Sequence, residues 1–252
     1  MTNHENPPLQ GTRIADDPIY LNENRYDNPK EMFKVLGKYI TEAQFPSGAA
    51  LLDVGCATGE FLYYSKKILP TFAKFAGLDP SPDMIKHAKT HVSGVDFFVG
   101  SAVDDSIFSK REYNVVTCIG VMSIFDDFES PLRNLLSCVK ENGLILITGP
   151  FNDDPIDIIT RYRRADSPQK GWELGWNIFS KNSIEKMLQK SGYQLRWVWR
   201  PFRLPFALKK RPHDPMRTWT ISANENPHQL VNGACQLLNM QTLSIQVLKA
   251  SV

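Results

Sequence analysis

The sequence predicts an α/β fold: an open, mostly parallel sheet with helices on both faces. Two observations predict it. Short apolar runs alternate with helix-period segments between residues 45 and 150, the pattern of successive strand–helix units. The first run, Ala49 to Val54, passes through a glycine turn bounded by Gly55 and Gly59 into an apolar helical pattern starting at Phe61 and Leu62. Turns of this kind lie outside the carboxyl ends of the strands, where ligands of open α/β sheets bind. Glycine there permits positive φ and a close approach of backbone to ligand.

Taken in order, residues 1–20 are polar and proline-containing and are expected to form a mobile arm. Asn24 to Ile40 places Met32, Phe33, Leu36, Tyr39 and Ile40 at helical spacing. Phe45 to Gly48 links this helix to the first strand. The second strand, Phe72 to Leu78, ends on Asp79 and leads to a helix over 82–91. The third is Val95 to Val99 and the fourth Val115 to Ile119. After residue 150 come a turn-rich stretch, a short apolar helix candidate from Ile156 to Tyr162, and a helix capped by Ser180 that stops at Gly192. Tyr193, Leu195, Trp197 and Trp199 alternate as a strand, Gln229 to Asn239 reads as a short helix, and Thr242 to Leu248 is the last strand.

The spacing of the first turn narrows its ligand. A dinucleotide turn reads G-x-G-x-x-G and rests a pyrophosphate on a helix N-terminus. Here the run is Asp53-Val54-Gly55-Cys56-Ala57-Thr58-Gly59, with Ala57 where a middle glycine often sits. An acid just before the turn repels a pyrophosphate and suits a cation. A second acid, Asp79, lies about 20 residues on, placed to accept hydrogen bonds from ribose hydroxyls.

The run Asp53 to Gly59 resembles the first motif of the class I S-adenosylmethionine-dependent methyltransferases, and Gly77-Leu78-Asp79-Pro80-Ser81-Pro82-Asp83-Met84-Ile85 resembles the second. Gly120 to Asp127 resembles the motif that follows strand four, and Leu132 to Thr148 the helix, turn and fifth strand that close the core. The resemblance implies a Rossmann-like fold of seven strands in the order 3-2-1-4-5-7-6, strand seven antiparallel. It implies S-adenosyl-L-methionine as cofactor and S-adenosyl-L-homocysteine as product. The first turn (Asp53, Gly55, Cys56, Ala57, Gly59, with Phe61) would hold the amino-acid half, and Asp79 the ribose hydroxyls. Pro80, Ser81 and Met84 would line the adenine, with Ser101 and Ala102 after strand three and Ile119, Gly120 and Val121 after strand four. Ser101 departs from the family, which commonly has an acid there. The N-terminal helix would cover the cofactor and wall the substrate pocket, with Tyr20 and Tyr26 just ahead of it, either to pack or to touch ligand.

Composition bounds the rest. The 252 residues fit one domain: arm and covering helix over 1–44, cofactor-binding core over 45–150, and insertions at 151–178 and 203–241 on the substrate side. No stretch approaches the ~20 apolar residues of a membrane span, and the N-terminus lacks a signal-peptide pattern, so a cytoplasmic protein without a membrane partner is expected. The net charge of +2 argues against a nucleic-acid surface. Monomer and homodimer both stay open. Cys56, Cys118, Cys138 and Cys235 form no C-x-x-C pair. His87 and His91 stand at i, i+4, but no H-E-x-x-H pattern accompanies them, and no metal is expected.

Methyl transfer needs alignment and, for a hydroxyl acceptor, removal of a proton. His213, on a loop after a basic run, leads the candidates for that base, with Asp126 and His228 beside it; Asp127, Asp153 and Asp154 are further options. Trp172, Trp176 and Trp219 are candidates to stack on a ring, and Arg163, with Arg161, Arg164 and Lys209 to Arg211, to hold an anion. These point to a small-molecule acceptor methylated on oxygen or nitrogen, such as a sugar, a nucleotide-linked sugar or another anionic metabolite. RNA or protein methylation, a non-catalytic cofactor-binding scaffold and a nicotinamide oxidoreductase are the alternatives.

Overall fold

The structure is a computed structural model that describes residues 17–108, 110–163, 165, 171–212, 216–223 and 225–249. The chain opens with α1 (Asp17–Asn22) and α2 (Glu31–Glu42), then alternates β1 (Ala50–Val54), α3 (Glu60–Ile68), β2 (Lys74–Asp79), α4 (Pro82–His91), β3 (Asp96–Val99), β4 (Tyr113–Ile119), α5 (Glu129–Cys138) and β5 (Val139–Asn152). The short pieces β6 (Arg161–Tyr162), β7 (Glu173–Leu174) and β8 (Phe179–Ser180) precede α6 (Lys181–Lys190) and β9 (Leu195–Pro201). The hairpin strands β10 (Trp219–Ala223) and β11 (Asn226–Val231) lead to β12 (Met240–Val247).

The main sheet runs β3-β2-β1-β4-β5-β12-β9, and β8 adds to the end of β5. In chain order these seven strands read 3-2-1-4-5-7-6, as the sequence predicts. β12 is antiparallel to both β5 and β9, and the pairs on the other side are parallel.

Alternation along the strands fills two cores. Ala50, Leu52 and Val54 face one layer together with Leu132, Leu135, Ile184 and Leu188 of α5 and α6. Leu51 faces the other, with Leu36 and Ile40 of α2, Phe61 and Leu62 of α3, and Ile85 and Ala88 of α4. Burial on both sides is why β1 reads as a continuous apolar run. Ser180 caps α6, its hydroxyl accepting from the Ser183 amide at 3.0 Å, and Asp127 takes the Glu129 amide at the start of α5 at 2.8 Å.

Four local expectations change. Asp17–Asn22 forms a short helix within the expected arm, and α2 starts at Glu31 rather than Asn24. The Ile156 to Tyr162 segment is extended: Ile158 bridges Ile178, and Arg161 and Tyr162 pair with Leu174 and Glu173. Ile156, Ile158, Ile159 and Thr160 are β-branched, which favours the extended form. The segment from Gln229 to Asn239 is no helix either. Gln229 to Val231 belong to the β10–β11 hairpin, and Asn232 and Gly233 open a turn, as their residue types favour.

Candidate active site

The strand order reverses between β1 and β4, which opens a crevice beyond their carboxyl ends. A cavity of about 340 Å³ lies there. Four loops build one end of it: Gly55 and Ala57 after β1, Asp79 to Met84 after β2, Gly100 to Ala102 after β3, and Ile119 to Val121 after β4. Ser123, Ile124, Phe125 and Trp176 form the other end, and Tyr20 of α1 closes one side.

The β1 turn is held tightly. The Gly55 and Cys56 amides donate to the Leu78 carbonyl at 2.7 and 2.9 Å. Gly55 sits at φ +77°, and a Cβ there would fall 2.2 Å from Val121 Cγ2. Ala57 also takes a left-handed conformation, φ +46°. Asp79 pins it: Oδ2 accepts from the Ala57 amide at 2.9 Å, while Oδ1 accepts from the Ser81 amide at 3.0 Å. Beneath the turn, Asp53 is almost fully buried and accepts from Thr117 Oγ1 at 2.6 Å. Burial pushes its carboxyl up to about 7; the Thr117 hydrogen bond opposes this and the charge of Asp79 adds to it.

A charged cluster flanks the turn. The Glu60 carboxylate, at the start of α3, accepts from the Arg25 amide at 2.8 Å. Glu23 pairs with Arg217 of the second insertion at 3.1 Å and with Arg25 at 3.5 Å. Lys30 lies 4.9 Å from the centre of the Tyr20 ring. Burial lowers its pKa, opposed by the charges of Glu60 and Glu23.

Of the residues expected at the cofactor, Gly55, Ala57, Asp79, Pro80, Ser81, Met84, Ser101, Ala102, Ile119, Gly120 and Val121 line the cavity. Asp53, Cys56, Gly59 and Phe61 do not. Asp53 lies under the turn, Cys56 and Phe61 are buried in the α2–α3–α4 core, and Gly59 starts α3 against Phe97. Gly100, Ile124 and Phe125 were not singled out as site residues, though Gly100 adjoins Ser101 and the other two lie in the motif after strand four; Tyr20, like Tyr26 a residue just ahead of the N-terminal helix that could touch ligand, does line the cavity.

The expected substrate and catalytic residues scatter. Trp176 lines the cavity. Tyr26 packs on Tyr63 and His91 and donates its hydroxyl to the Thr58 carbonyl at 2.8 Å, behind the turn. His87 stacks on His91 at 4.0 Å. Arg163 and Trp172 stack on each other at 5.2 Å at the exposed end of the β6–β7 pair. Trp219 lies in the β10–β11 hairpin, under Lys210 at 4.5 Å. Asp126 is engaged by the Arg161 guanidinium and by Asn177 Nδ2. His228 Nδ1 sits 2.8 Å from the Leu204 carbonyl, and Asp153 pairs with Lys181. Tyr26, Arg163, Trp172, Trp219, Asp126, His228 and Asp153 therefore stand away from the lining of the cavity. Their spacing in the chain said nothing of which face the insertions turn inward. His213 lies outside the described residues, as does Arg164. No helix among the described residues is long and apolar enough to cross a membrane.

The geometry suits the expected cofactor: a turn whose closest backbone approach leaves no room for a side chain, an anchored carboxylate at the next strand end, and an apolar slot beyond it. Comparison with known proteins agrees. The family model described as a methyltransferase domain matches residues 25–197. A ubiquinone biosynthesis O-methyltransferase of Xanthomonas axonopodis pv. citri is 27% identical over 130 residues, 48% of this chain and 53% of that protein. The chain thus spans about half the length of that curated relative. Among solved structures, a methyltransferase from a complex with the Haloferax volcanii Trm112 activator superposes with a TM-score of 0.62 at 12% identity, covering 93% of this chain and 98% of that one. A structure described as an S-adenosylmethionine-dependent methyltransferase from Listeria monocytogenes gives 0.58 at 13%, covering 85% and 100%. Turn, anchored acid, strand order and family match together make this chain a class I S-adenosylmethionine-dependent methyltransferase.

Proposed function

We propose that the chain methylates an oxygen or nitrogen of a small, ring-bearing acceptor seated against Phe125 and Trp176. The observation that carries this is the two-ended cavity: turn and anchored acid at one end, Ser123, Ile124, Phe125 and Trp176 at the other. When bound, the cofactor supplies an electrophilic methyl group on a sulfonium. The residues of the chain bind and orient. Asp79, already fixed by two backbone amides, keeps acceptor capacity for ribose hydroxyls. Ser81, Met84, Ser101 and Ala102 form the slot for the base. Arg25, Lys30 and Arg217 outnumber Glu23 and Glu60 beside the turn, and that surplus positive charge suits the carboxylate of an amino-acid moiety. Asp53 below offers a counter-charge to a cation held over the turn once that cation draws off its proton.

The acceptor end is apolar and aromatic, which excludes water and aligns a flat molecule. The basic residues read as an anion site are engaged elsewhere: Arg161 with Asp126, Arg163 with Trp172, Lys210 with Trp219. This favours a neutral ring over an anionic sugar. The resemblance to ubiquinone biosynthesis O-methyltransferases favours oxygen as the methylated atom. Incubation with radiolabelled S-adenosylmethionine and fractionated cell extract tests the reading. Label in a small organic-soluble product supports it; label confined to RNA or protein overturns it.

A further inference from the structure

Asn177 is fully buried, and both its side-chain amide groups and its backbone amide are hydrogen-bonded. Its backbone amide donates to the Ser123 carbonyl at 2.9 Å. Its side-chain Nδ2 donates to the Phe125 carbonyl at 2.7 Å and to Asp126 Oδ1 at 3.2 Å, and its Oδ1 accepts from the Thr160 amide at 2.8 Å. One residue of the first insertion therefore grips the loop that carries Ser123, Ile124 and Phe125 and fixes its own insertion at Thr160.

The second insertion joins the same network. Gln236 Nε2 donates to Thr160 Oγ1 at 2.9 Å and to the Trp176 carbonyl at 3.1 Å. Gln236 is held in turn by Asn232, also fully buried: Asn232 Nδ2 donates to Gln236 Oε1 at 2.7 Å, and Asn232 Oδ1 accepts from the Gln236 amide at 3.2 Å. The chain Asn232–Gln236–Trp176/Thr160–Asn177–Phe125 crosses three segments distant in sequence. Within the second insertion the β10–β11 hairpin supplies regular pairing of its own. Among the described residues, the first insertion enters regular pairing through the two-residue pairs β6–β7 and β5–β8 and one bridge. A network of side-chain amides anchored on two buried asparagines and the half-buried Gln236 favours one arrangement, because others leave desolvated polar groups unpaired.

We infer that Asn177 and Gln236 are positioning residues for the acceptor: they lock both insertions and the loop after β4 into a single wall, so acceptor selectivity belongs to the two insertions acting as one. Neither residue lines the cavity itself. The inference rests on the reading that this wall receives the acceptor.

Three variants of the full chain test it: Asn177→Ala, Gln236→Ala and Gln236→Glu, each saturated with S-adenosylhomocysteine. Gln236→Glu keeps the shape but loses the donors to Thr160 and Trp176, so it separates hydrogen bonding from space filling, and Gln236 is peripheral enough to change should Asn177→Ala fail to fold. Hydrogen exchange is followed by mass spectrometry. The expected result is exchange about tenfold faster in peptides covering 121–126 and 158–162, with 55–59 and 79–84 unchanged and S-adenosylhomocysteine affinity within about twofold. Unchanged exchange in both Gln236 variants overturns the network's role, as does loosening spread equally over the β1 turn. A second readout isolates the underlying reading. Initial labelling rate is plotted against dilution of the extract fraction that wild type labels. An apparent KM raised about tenfold at little-changed limiting rate is expected. Faster exchange with an unmoved KM leaves the network in place but overturns the assignment of this wall to the acceptor.

Discussion

The two ends of the cavity are held by different kinds of bond. At the cofactor end, the lining hangs directly from parallel strands: Gly55 and Cys56 donate to the backbone of β2, Gly100 to the Asp79 carbonyl, and Gly120 to β5. At the other end, the lining depends on side-chain amides reaching between insertions, Asn177 and Gln236 above all. Backbone pairing tolerates most changes of side chain. A network of amides fails when one member is lost. A fold built this way can keep one cofactor and vary its acceptor with few substitutions.

The comparison can be broken most forcefully at Asp79. Asp79→Ala removes acceptors for two backbone amides and for the proposed ribose contacts. Hydrogen bonds to a charged group contribute about 1.5–3 kcal/mol each, so S-adenosylhomocysteine affinity should fall on the order of 100-fold by calorimetry. If affinity survives, the carboxylate is not the anchor of the cofactor end.

Asp53 sharpens the contrast through pH. Its folded carboxyl titrates near 7 against an ordinary value of 3.8. Between these values the folded chain binds the extra proton, so stability falls as pH rises through the window and levels off above it, at up to roughly 1 kcal/mol per pH unit. Thermal melts of the free protein should therefore drop between about pH 4 and about pH 7, and Asp53→Asn should flatten that slope. Equal slopes in both proteins would remove Asp53 as the source.

At the proposed acceptor end, Trp176→Ala should lower labelling of the acceptor about tenfold at unchanged S-adenosylhomocysteine affinity, whereas Arg163→Ala, outside the cavity, should change labelling by less than about twofold. Parallel losses in the two variants would mean that the exposed β6–β7 end also touches the acceptor. The smallest effect belongs to Arg217→Ala. Its pairing with Glu23 joins the second insertion to the N-terminal segment, and partly exposed pairs contribute up to about 1 kcal/mol, so the melting temperature should fall by only a few degrees.

The same contrast governs what the sequence made legible. The cofactor end is written in contiguous runs, a strand end plus the next few residues, so Gly55, Ala57, Asp79 to Ser81 and Ser101 could be read directly. Errors there came from the direction neighbouring side chains take: Cys56 in the turn and Phe61 in α3 point into the core while Ala57 faces the cavity. At the other end, Trp172 and Trp176 looked alike in sequence. Their fates separate because the β6–β7 pairing carries Trp172 outward with Arg163, while Asn177 draws the following segment in under Phe125. Bonds of that kind link positions more than fifty residues apart, as from Asn177 to Phe125 and from Gln236 to Trp176, and no local pattern announces them.

Asp79 also has a consequence for how the two halves of the cofactor can be sensed. One oxygen steadies the left-handed Ala57 in the β1 turn, and the other steadies the start of α4 at Ser81. Strain in the bend and order in the nucleoside slot are thus soldered to a single atom group. A ligand fragment that engages only the ribose should stiffen the turn before any amino acid arrives, so the two fragments should bind with mutual reinforcement even when severed from each other.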